Sequence, residues 1–266
     1  MSTSDPAGWP PPAKAAFVQG LLCAADDDFL IGHRNSDWTG LAPMLEEDIA
    51  FSSIAQDEVA HARELYQIAG AINGESPDRI AYGRAARDYR CARLVYVADG
   101  FDWAVLIARQ YLYDHFDGLR LERWRQSAHE PLAQVTHRIA AEERFHLHHV
   151  NDWLRRLSAG NADARTRIQQ AIEKLWPLTP ELFEEPAAVA AATTHSALPR
   201  IDASLWPAYT ARIVASMEAA GLRPPADRTI PSATPPGGRN GRHAPELDEV
   251  LAELGEVFRL SPEAVW

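Results

Sequence analysis

Apolar residues along this chain recur mostly every three or four positions, the spacing that places them on one face of an α-helix. Runs in which apolar and polar residues alternate, as they do in half-buried strands, are scarce. The pattern therefore predicts an all-α protein. Four of the predicted helices are long, and they cover residues 13–34, 43–71, 101–126 and 131–157.

Residues that break or start helices set the ends of the first two segments. Asn35-Ser36-Asp37 and Gly40 interrupt the first. Pro43 suits the first turn of the second, and three acidic residues follow it where the helix dipole favours negative charge. Asn73-Gly74 ends the second helix. Residues 74–100 are mixed in character and are predicted to form a connection that crosses the bundle.

Three shorter helices are predicted over residues 163–174, 201–220 and 245–258. Prolines and glycines are concentrated between residues 222 and 244, which favours an extended or irregular arm over a helix. We therefore expect a disordered or extended N-terminus, a helical domain, and an extended C-terminal arm that ends in a short helix. These three parts cover residues 1–12, 13–221 and 222–266.

Composition narrows the class of protein. The chain has 266 residues, of which 46% are hydrophobic and 24% charged, and these are values typical of a soluble globular protein. Its net charge of -11 and the absence of a dense basic cluster argue against nucleic acid as a partner. No apolar run reaches the length that spans a bilayer, and the first residues lack the features of a signal peptide. Cys23 and Cys91 are expected to be reduced thiols, so we expect a cytoplasmic protein.

A Glu-x-x-His pair occurs twice, as Glu58 and His61 and again as Glu143 and His146. Residues three apart share a face of a helix, so each pair can aim a carboxylate and an imidazole at one point. A single pair on an exposed helix is common and carries little information. Two pairs in two long helices indicate a metal site.

Each pair has a candidate carboxylate on the helix before it. Asp28 precedes Glu58 by 30 residues, and Asp114 precedes Glu143 by 29. Asp26 and Asp27 compete with Asp28, and Asp117 competes with Asp114; symmetry of spacing alone favours Asp28 and Asp114.

The predicted metal ligands are therefore Asp28, Glu58, His61, Asp114, Glu143 and His146. Two Glu-x-x-His pairs and one carboxylate from each of two other helices form the di-iron or di-manganese site of ferritin-like bundles. Carboxylates with imidazoles suit iron or manganese rather than a pure magnesium or calcium site. The predicted fold is an all-α ferritin-like four-helix bundle with extra peripheral helices and an extended C-terminal arm. The sequence assigns no catalytic residue beyond these ligands and no organic-cofactor site.

Asp57 and Glu142 each come directly before the glutamate of a pair. They can hold a ligand imidazole in one tautomer, as the outer partners of metal ligands do. The alternative is that they belong to a solvated helix face, and for Glu142 the sequence favours neither.

Several further segments have a recognisable sequence. They are Asp28-Phe-Leu-Ile-Gly-His-Arg34, Trp38-Thr-Gly-Leu-Ala-Pro43, Glu46-Glu-Asp-Ile-Ala50, Arg109-Gln-Tyr-Leu-Tyr-Asp114, Gly237-Gly-Arg-Asn-Gly-Arg-His243 and the terminal Trp266. These segments resemble the C subunits of the ring 1,2-phenylacetyl-CoA epoxidases. The resemblance covers most of the chain. It implies a ferritin-like fold and a place in a complex of aerobic phenylacetate degradation.

In that family a homologous A subunit holds the di-iron site and inserts one oxygen atom of O2 into the ring of phenylacetyl-CoA. The well-known C subunits are structural and lack the metal ligands. This chain departs from them, because both of its Glu-x-x-His segments look like those of the A subunit. The resemblance thus implies a C-type subunit with an A-type site.

The resulting hypothesis is a subunit of a phenylacetyl-CoA epoxidase-like complex with its own site for two iron ions, manganese being the alternative metal. O2 would be the co-substrate, and electrons would come from a separate reductase, since the chain shows no flavin or iron–sulfur signature. The expected partners are an A-type subunit, a small B-type subunit and the reductase, or a second copy of this chain, with a CoA thioester as a candidate substrate. The alternatives are a purely structural scaffold subunit and a stand-alone di-iron oxygenase or ferroxidase.

Overall fold

The computed structural model describes residues 6–191, 197–230 and 237–264. Within them there is no strand, and the predicted all-α class is confirmed. The α-helices are α1 (Pro11–Ser36), α2 (Leu45–Asn73), α3 (Pro77–Tyr82), α4 (Arg93–Tyr96), α5 (Trp103–Trp124), α6 (Glu130–Ala159), α7 (Ala162–Leu175), α8 (Ala187–Ala191), α9 (Trp206–Ala219), α10 (Glu246–Leu254) and α11 (Glu256–Leu260). Short 3₁₀ helices cover Pro6–Gly8, Ala86–Asp88, Trp176–Phe183, Ala203–Leu205 and Gly238–Asn240.

The four long helices α1, α2, α5 and α6 form the bundle that the apolar pattern predicts. Their ends lie within about three residues of the predicted ones. Helices α1 and α2 form one antiparallel hairpin, and α5 and α6 form a second. Gly74 ends α2 in the left-handed conformation, with φ 75°, and its N–H bonds to the carbonyl of Gly70.

The segment between α2 and α5 joins the two hairpins. It contains α3, a 3₁₀ turn and α4, and α4 packs against both α1 and α5. Because a long connection separates the hairpins, α2 and α5 run in the same direction, as in bundles with one crossover.

Helices α1 and α5 are the inner helices of the bundle. Buried residues lie on all sides of both, whereas α6 buries one stripe and exposes the other. A helix that is covered all round holds its polar side chains away from water. The polar residues of α1 and α5 therefore need partners inside the protein, and this requirement shapes the site below.

Both ends of the described chain are anchored to the bundle. In the predicted N-terminal segment, Trp9 is buried and its ring lies 5.0 Å from that of Phe17. In the arm, the buried Arg239 reaches α1. The predicted helix over 245–258 is divided at Gly255 into α10 and α11. Residues 231–236 of the arm and Trp266 lie outside the described residues. No helix in the described part is long and apolar enough to span a membrane.

Candidate metal centre

The six predicted ligands come from the four long helices, and the structure buries all of them. Asp28 lies on α1, Asp114 on α5, and the Glu-x-x-His pairs on α2 and α6. None of the six residues is more than 5% exposed. Carboxylates buried in this way must be paired with a cation, a proton or hydrogen-bond donors.

Three of the six converge tightly. Glu58, Glu143 and His146 each offer one ligand atom, and these atoms lie within 4.8 Å of one another. His146 Nδ1 is 3.0 Å from Glu143 Oε1 and 3.8 Å from Glu58 Oε1. This is the part of the described chain where His, Cys, Asp and Glu side chains form a group able to hold a metal ion.

His61 lies at the edge of the same group. Its Nδ1 atom is 3.3 Å from Glu143 Oε1 and 3.9 Å from Glu58 Oε2. The rings of His61 and His146 are 6.1 Å apart between centroids. Both Glu-x-x-His pairs therefore direct their side chains to one place between α2 and α6.

The Nε2 atom of each imidazole contacts a carboxylate from the other helix of the pair α2 and α6. Glu142 Oε2, on α6, is 2.7 Å from Nε2 of His61 on α2. Asp57 Oδ2, on α2, is 3.2 Å from Nε2 of His146 on α6. A carboxylate that accepts a hydrogen bond from Nε2 keeps the imidazole proton on that nitrogen. The lone pair of Nδ1 then faces the site. The predicted orienting contacts of Asp57 and Glu142 are thus present.

Asp114 is only half engaged with protein groups. Gln110 donates from Nε2 to Asp114 Oδ1 at 2.6 Å and to Glu58 Oε1 at 3.0 Å. Asn35 in turn donates to Gln110 Oε1 at 2.8 Å, which fixes the orientation of the amide. Asp114 Oδ2 has no hydrogen-bond partner.

Asp28 is held by other groups. Arg120 donates from Nη2 to both of its oxygens, at 2.9 and 3.1 Å, and the Tyr113 hydroxyl donates to Oδ1. Arg120 also forms an ion pair with Asp117, the alternative to Asp114 in the sequence. The structure therefore does not bring Asp28 into the Glu-His group.

The other two aspartates of α1 also have partners of their own. Asp26 is bound by Arg84 and by the hydroxyl of Tyr66, and Asp27 by Arg239. Consecutive residues on a helix point about 100° apart, so the three aspartates face three different neighbours.

Because the carboxyl groups and imidazoles of the Glu-His group and Asp114 are buried close together, their pKa values are shifted. Burial and the repulsion of Glu143 raise the pKa of Glu58 well above its usual value, and burial raises that of Asp114. Burial alone would lower the pKa values of the two imidazoles, but Glu143 outweighs it and raises them to about 9 for His61 and about 10 for His146. In the metal-free protein, protons on the imidazoles thus supply positive charge, and protons on Glu58 and Asp114 remove negative charge. A bound cation would have to displace them, so metal affinity should increase with pH.

Buried atoms without partners test whether a metal fits these residues. Among the buried atoms without a hydrogen-bond partner are Glu58 Oε2, His61 Nδ1, Asp114 Oδ2 and Glu143 Oε2, all on the predicted ligands. Buried polar atoms are otherwise nearly always hydrogen-bonded, so four in one place indicate a further partner. Oxygen and imidazole donors in this mixture suit iron or manganese. The residues present therefore fit a divalent cation.

Sequence reasoning missed Gln110, Arg120 and Tyr113. Gln110 lies four residues before Asp114, and Arg120 three residues after Asp117, so both share a helix face with an aspartate. That spacing is the signal that could have identified Gln110 and Arg120.

Comparisons with known proteins agree over nearly the whole chain. A family model described as phenylacetic acid catabolic protein matches residues 1–266. The chain is 31% identical over 246 residues to the C subunit of 1,2-phenylacetyl-CoA epoxidase from Escherichia coli (strain K12). The alignment covers 92% of this chain and 97% of that protein.

Proposed function

Because the chain belongs to the family of phenylacetic acid catabolic proteins, we propose that it is the C-type subunit of a multicomponent 1,2-phenylacetyl-CoA epoxidase complex. The observation that carries this proposal is the similarity to an epoxidase C subunit over nearly the full length of both chains. The family match also includes the C-terminal arm, which in this structure is anchored in the bundle core by Arg239.

The partners follow from that assignment. They are a homologous A-type subunit, a small B-type subunit and a separate reductase, and the substrate of the complex is a CoA thioester. In the absence of flavin or iron–sulfur motifs, electrons reach this chain only through a partner.

The second part of the proposal concerns metal. Glu58, His61, Glu143 and His146 would hold iron, or manganese in its place, and Asp57 and Glu142 would orient the two imidazoles. When bound in reduced form, iron supplies the one-electron chemistry that activates O2. The residues of this chain contribute donor atoms, a site shielded from water, and imidazoles fixed in one orientation. The sequence pattern favours two ions, with Asp28 and Asp114 completing the ligand set.

One observation favours the alternative of a scaffold subunit. Arg120 and Tyr113 both donate hydrogen bonds to the carboxylate of Asp28, which the two-ion site would need as a ligand. On this alternative, the chain organises the A-type subunit, and the Glu-His group contributes nothing to turnover.

Reconstitution of the complex tests the assignment. The A-type, B-type and reductase components are assayed for epoxidation of phenylacetyl-CoA with and without this chain, and complex formation is followed by co-elution. We expect the chain to co-elute with the A-type subunit and to be needed for full activity. Full turnover without the chain, together with separate elution, would contradict the proposal.

The double variant Glu58→Gln/Glu143→Gln separates the two roles. It keeps the shape of both side chains and removes their negative charge. If the metal of this chain takes part, activity falls while co-elution is retained. If the chain is a scaffold only, activity and co-elution both match the unmutated complex. His148→Ala is the matched control, because His148 is an exposed imidazole on the same helix.

A further inference from the structure

The donor atoms of the Glu-His group are spaced for one ion. An ion with oxygen and nitrogen ligands at about 2.0–2.2 Å places neighbouring ligand atoms about 3 Å apart and opposite ones about 4 Å apart. The four Glu–His distances in the group run from 3.0 to 3.9 Å, as given above. Each imidazole nitrogen is within that range of both Glu58 and Glu143. In the described part of the chain, only Glu58, Glu143 and His146 offer ligand atoms that all lie within 4.8 Å of one another, so these three surround a single point and His61 lies at its edge.

The place where a second ion would bind already holds a positive charge. Arg120 is 2% exposed, and it contacts both oxygens of Asp28 and also pairs with Asp117. A guanidinium keeps its positive charge at any accessible pH. A second cation that used Asp28 would have to share this carboxylate with Arg120 and stand next to its charge.

Neighbouring contacts hold Arg120 and Asp28 in this arrangement. Tyr113 donates its hydroxyl to Asp28 Oδ1, and the guanidinium carbon lies 5.5 Å from the ring centre of Trp124. Asp28 also has one methylene fewer than a glutamate, so it reaches less far toward the group. Releasing Asp28 would leave a buried guanidinium without one of its two carboxylates.

We propose that this chain binds one divalent cation through Glu58, Glu143 and His146, with the guanidinium of Arg120 in place of a second ion. This inference deepens the metal part of the proposed function and rests on it. It replaces the two-ion site expected from the sequence with a site for a single metal ion and an arginine. Asp28 then belongs to the Arg120 ion pair rather than to the ligand set, while Asp114 keeps one free oxygen beside the group.

Manganese titration tests the stoichiometry without reference to activity. The full-length protein is stripped of metal with a chelator, dialysed, and titrated with Mn²⁺ under nitrogen. Calorimetry gives the number of ions per chain, and electron paramagnetic resonance distinguishes an isolated Mn²⁺ from a coupled pair. We expect one ion per chain and the spectrum of an isolated ion at saturation. Two ions per chain, a coupled-pair spectrum, or no saturable binding would each overturn the inference.

Three variants, one of them a control, locate the ion. His146→Ala should remove saturable binding, whereas His148→Ala should leave it unchanged, because the His148 side chain is 71% exposed and outside the group. Asp28→Asn should keep one ion per chain with affinity within about threefold, since Asp28 is not a ligand. Loss of Mn²⁺ binding in Asp28→Asn, with circular dichroism unchanged, would identify Asp28 as a ligand and contradict the inference. If Asp28→Asn does not fold, the stoichiometry of the unmutated chain decides.

Co-elution with the A-type subunit keeps this test separate from that of the proposed function. Two ions in a chain that still enters the complex would overturn the single-ion inference and leave the assignment to the complex intact. One ion in a chain that fails to enter the complex would support the single-ion inference and contradict the assignment to the complex.

Discussion

Breaking the buried pair between Arg239 and Asp27 should remove a large share of the stability of this fold. Arg239 is 2% exposed and Asp27 is fully buried, and Arg239 Nη2 lies 2.6 Å from Asp27 Oδ2. Arg239 also donates to the carbonyls of Cys23 and Arg90, both at 2.7 Å. Replacing Arg239 by methionine keeps much of the volume and removes all of these donors.

The expected cost follows from the carboxylate left behind. Removing one partner of a buried ion pair costs about 3–5 kcal/mol, because the other charge stays buried without compensation. A domain of ordinary stability has about 5–15 kcal/mol in total, so Arg239→Met should remove about a fifth of it or more. The double variant Arg239→Met/Asp27→Asn should recover about 2 kcal/mol of that loss, since it leaves no unpaired buried charge. Its amide is neutral and can still accept the N–H of Ala92, which donates to Asp27 at 2.8 Å.

Urea unfolding followed by circular dichroism measures these differences. Arg223→Met is the matched control, since that side chain is 83% exposed and its contact with Glu173 is 3.5 Å long. Exposed pairs contribute at most about 1 kcal/mol, so the control should stay close to the unmutated protein. The reasoning is refuted if Arg239→Met costs no more than the control, or if the double variant is no more stable than the single one.

Three further predictions concern acid stability, the anchoring of the arm, and the metal group. Burial lowers the pKa of His115 from 6.5 to about 4. Between pH 6.5 and about pH 4, the imidazole is therefore protonated in the unfolded chain and neutral in the folded one. The free energy of unfolding should fall by about 3 kcal/mol as the pH drops through this range. His115→Gln should flatten that acid limb in urea titrations at about pH 7 and about pH 4.5, and an unchanged slope would contradict the assignment. Gly238→Ala should cost about 1–3 kcal/mol, because its Cβ would overlap the carbonyl oxygen of Cys91, whereas Gly8→Ala meets no atom and should be neutral in the same assay. Glu58→Gln should raise the melting temperature of the metal-free protein at about pH 8, since burial and Glu143 raise the carboxyl pKa and the folded state disfavours the charged form. The same variant should lose the stabilisation that Mn²⁺ gives the unmutated chain, and a melting temperature that still rises with Mn²⁺ would argue against Glu58 as a ligand.

The sequence predicts the bundle well because one physical rule governs its long helices. Apolar residues must cover a core, and a period of about 3.6 residues reveals which positions do so. The same periodicity places Glu58 beside His61 and Glu143 beside His146. Spacing within one helix is enough to predict both pairs, and in the structure the ligand atoms of Glu58, Glu143 and His146 lie within 4.8 Å of one another.

Contacts between distant segments are where sequence reasoning fails. The pattern of α1 shows that Asp28 is inside, but not that Arg120 reaches it from α5. Similarly, no rule of spacing connects Asp27 with Arg239, which is 212 residues away. Helix periodicity identifies which face of a helix is buried, while the partner that meets that face depends on how the whole chain packs.

The three arginines that bind residues 26–28 of α1 also imply an order of events during synthesis. Arg84 comes from the crossover connection, Arg120 from α5, and Arg239 from the arm. On the ribosome, α1 is made first, yet Asp27 gains its partner only after 212 further residues have been added. Until then, the first helix of the bundle cannot reach its final buried state without protonating an aspartate or admitting water. A nascent chain halted before Arg239 should therefore remain loosely packed around α1 and be an early substrate for chaperones and proteases.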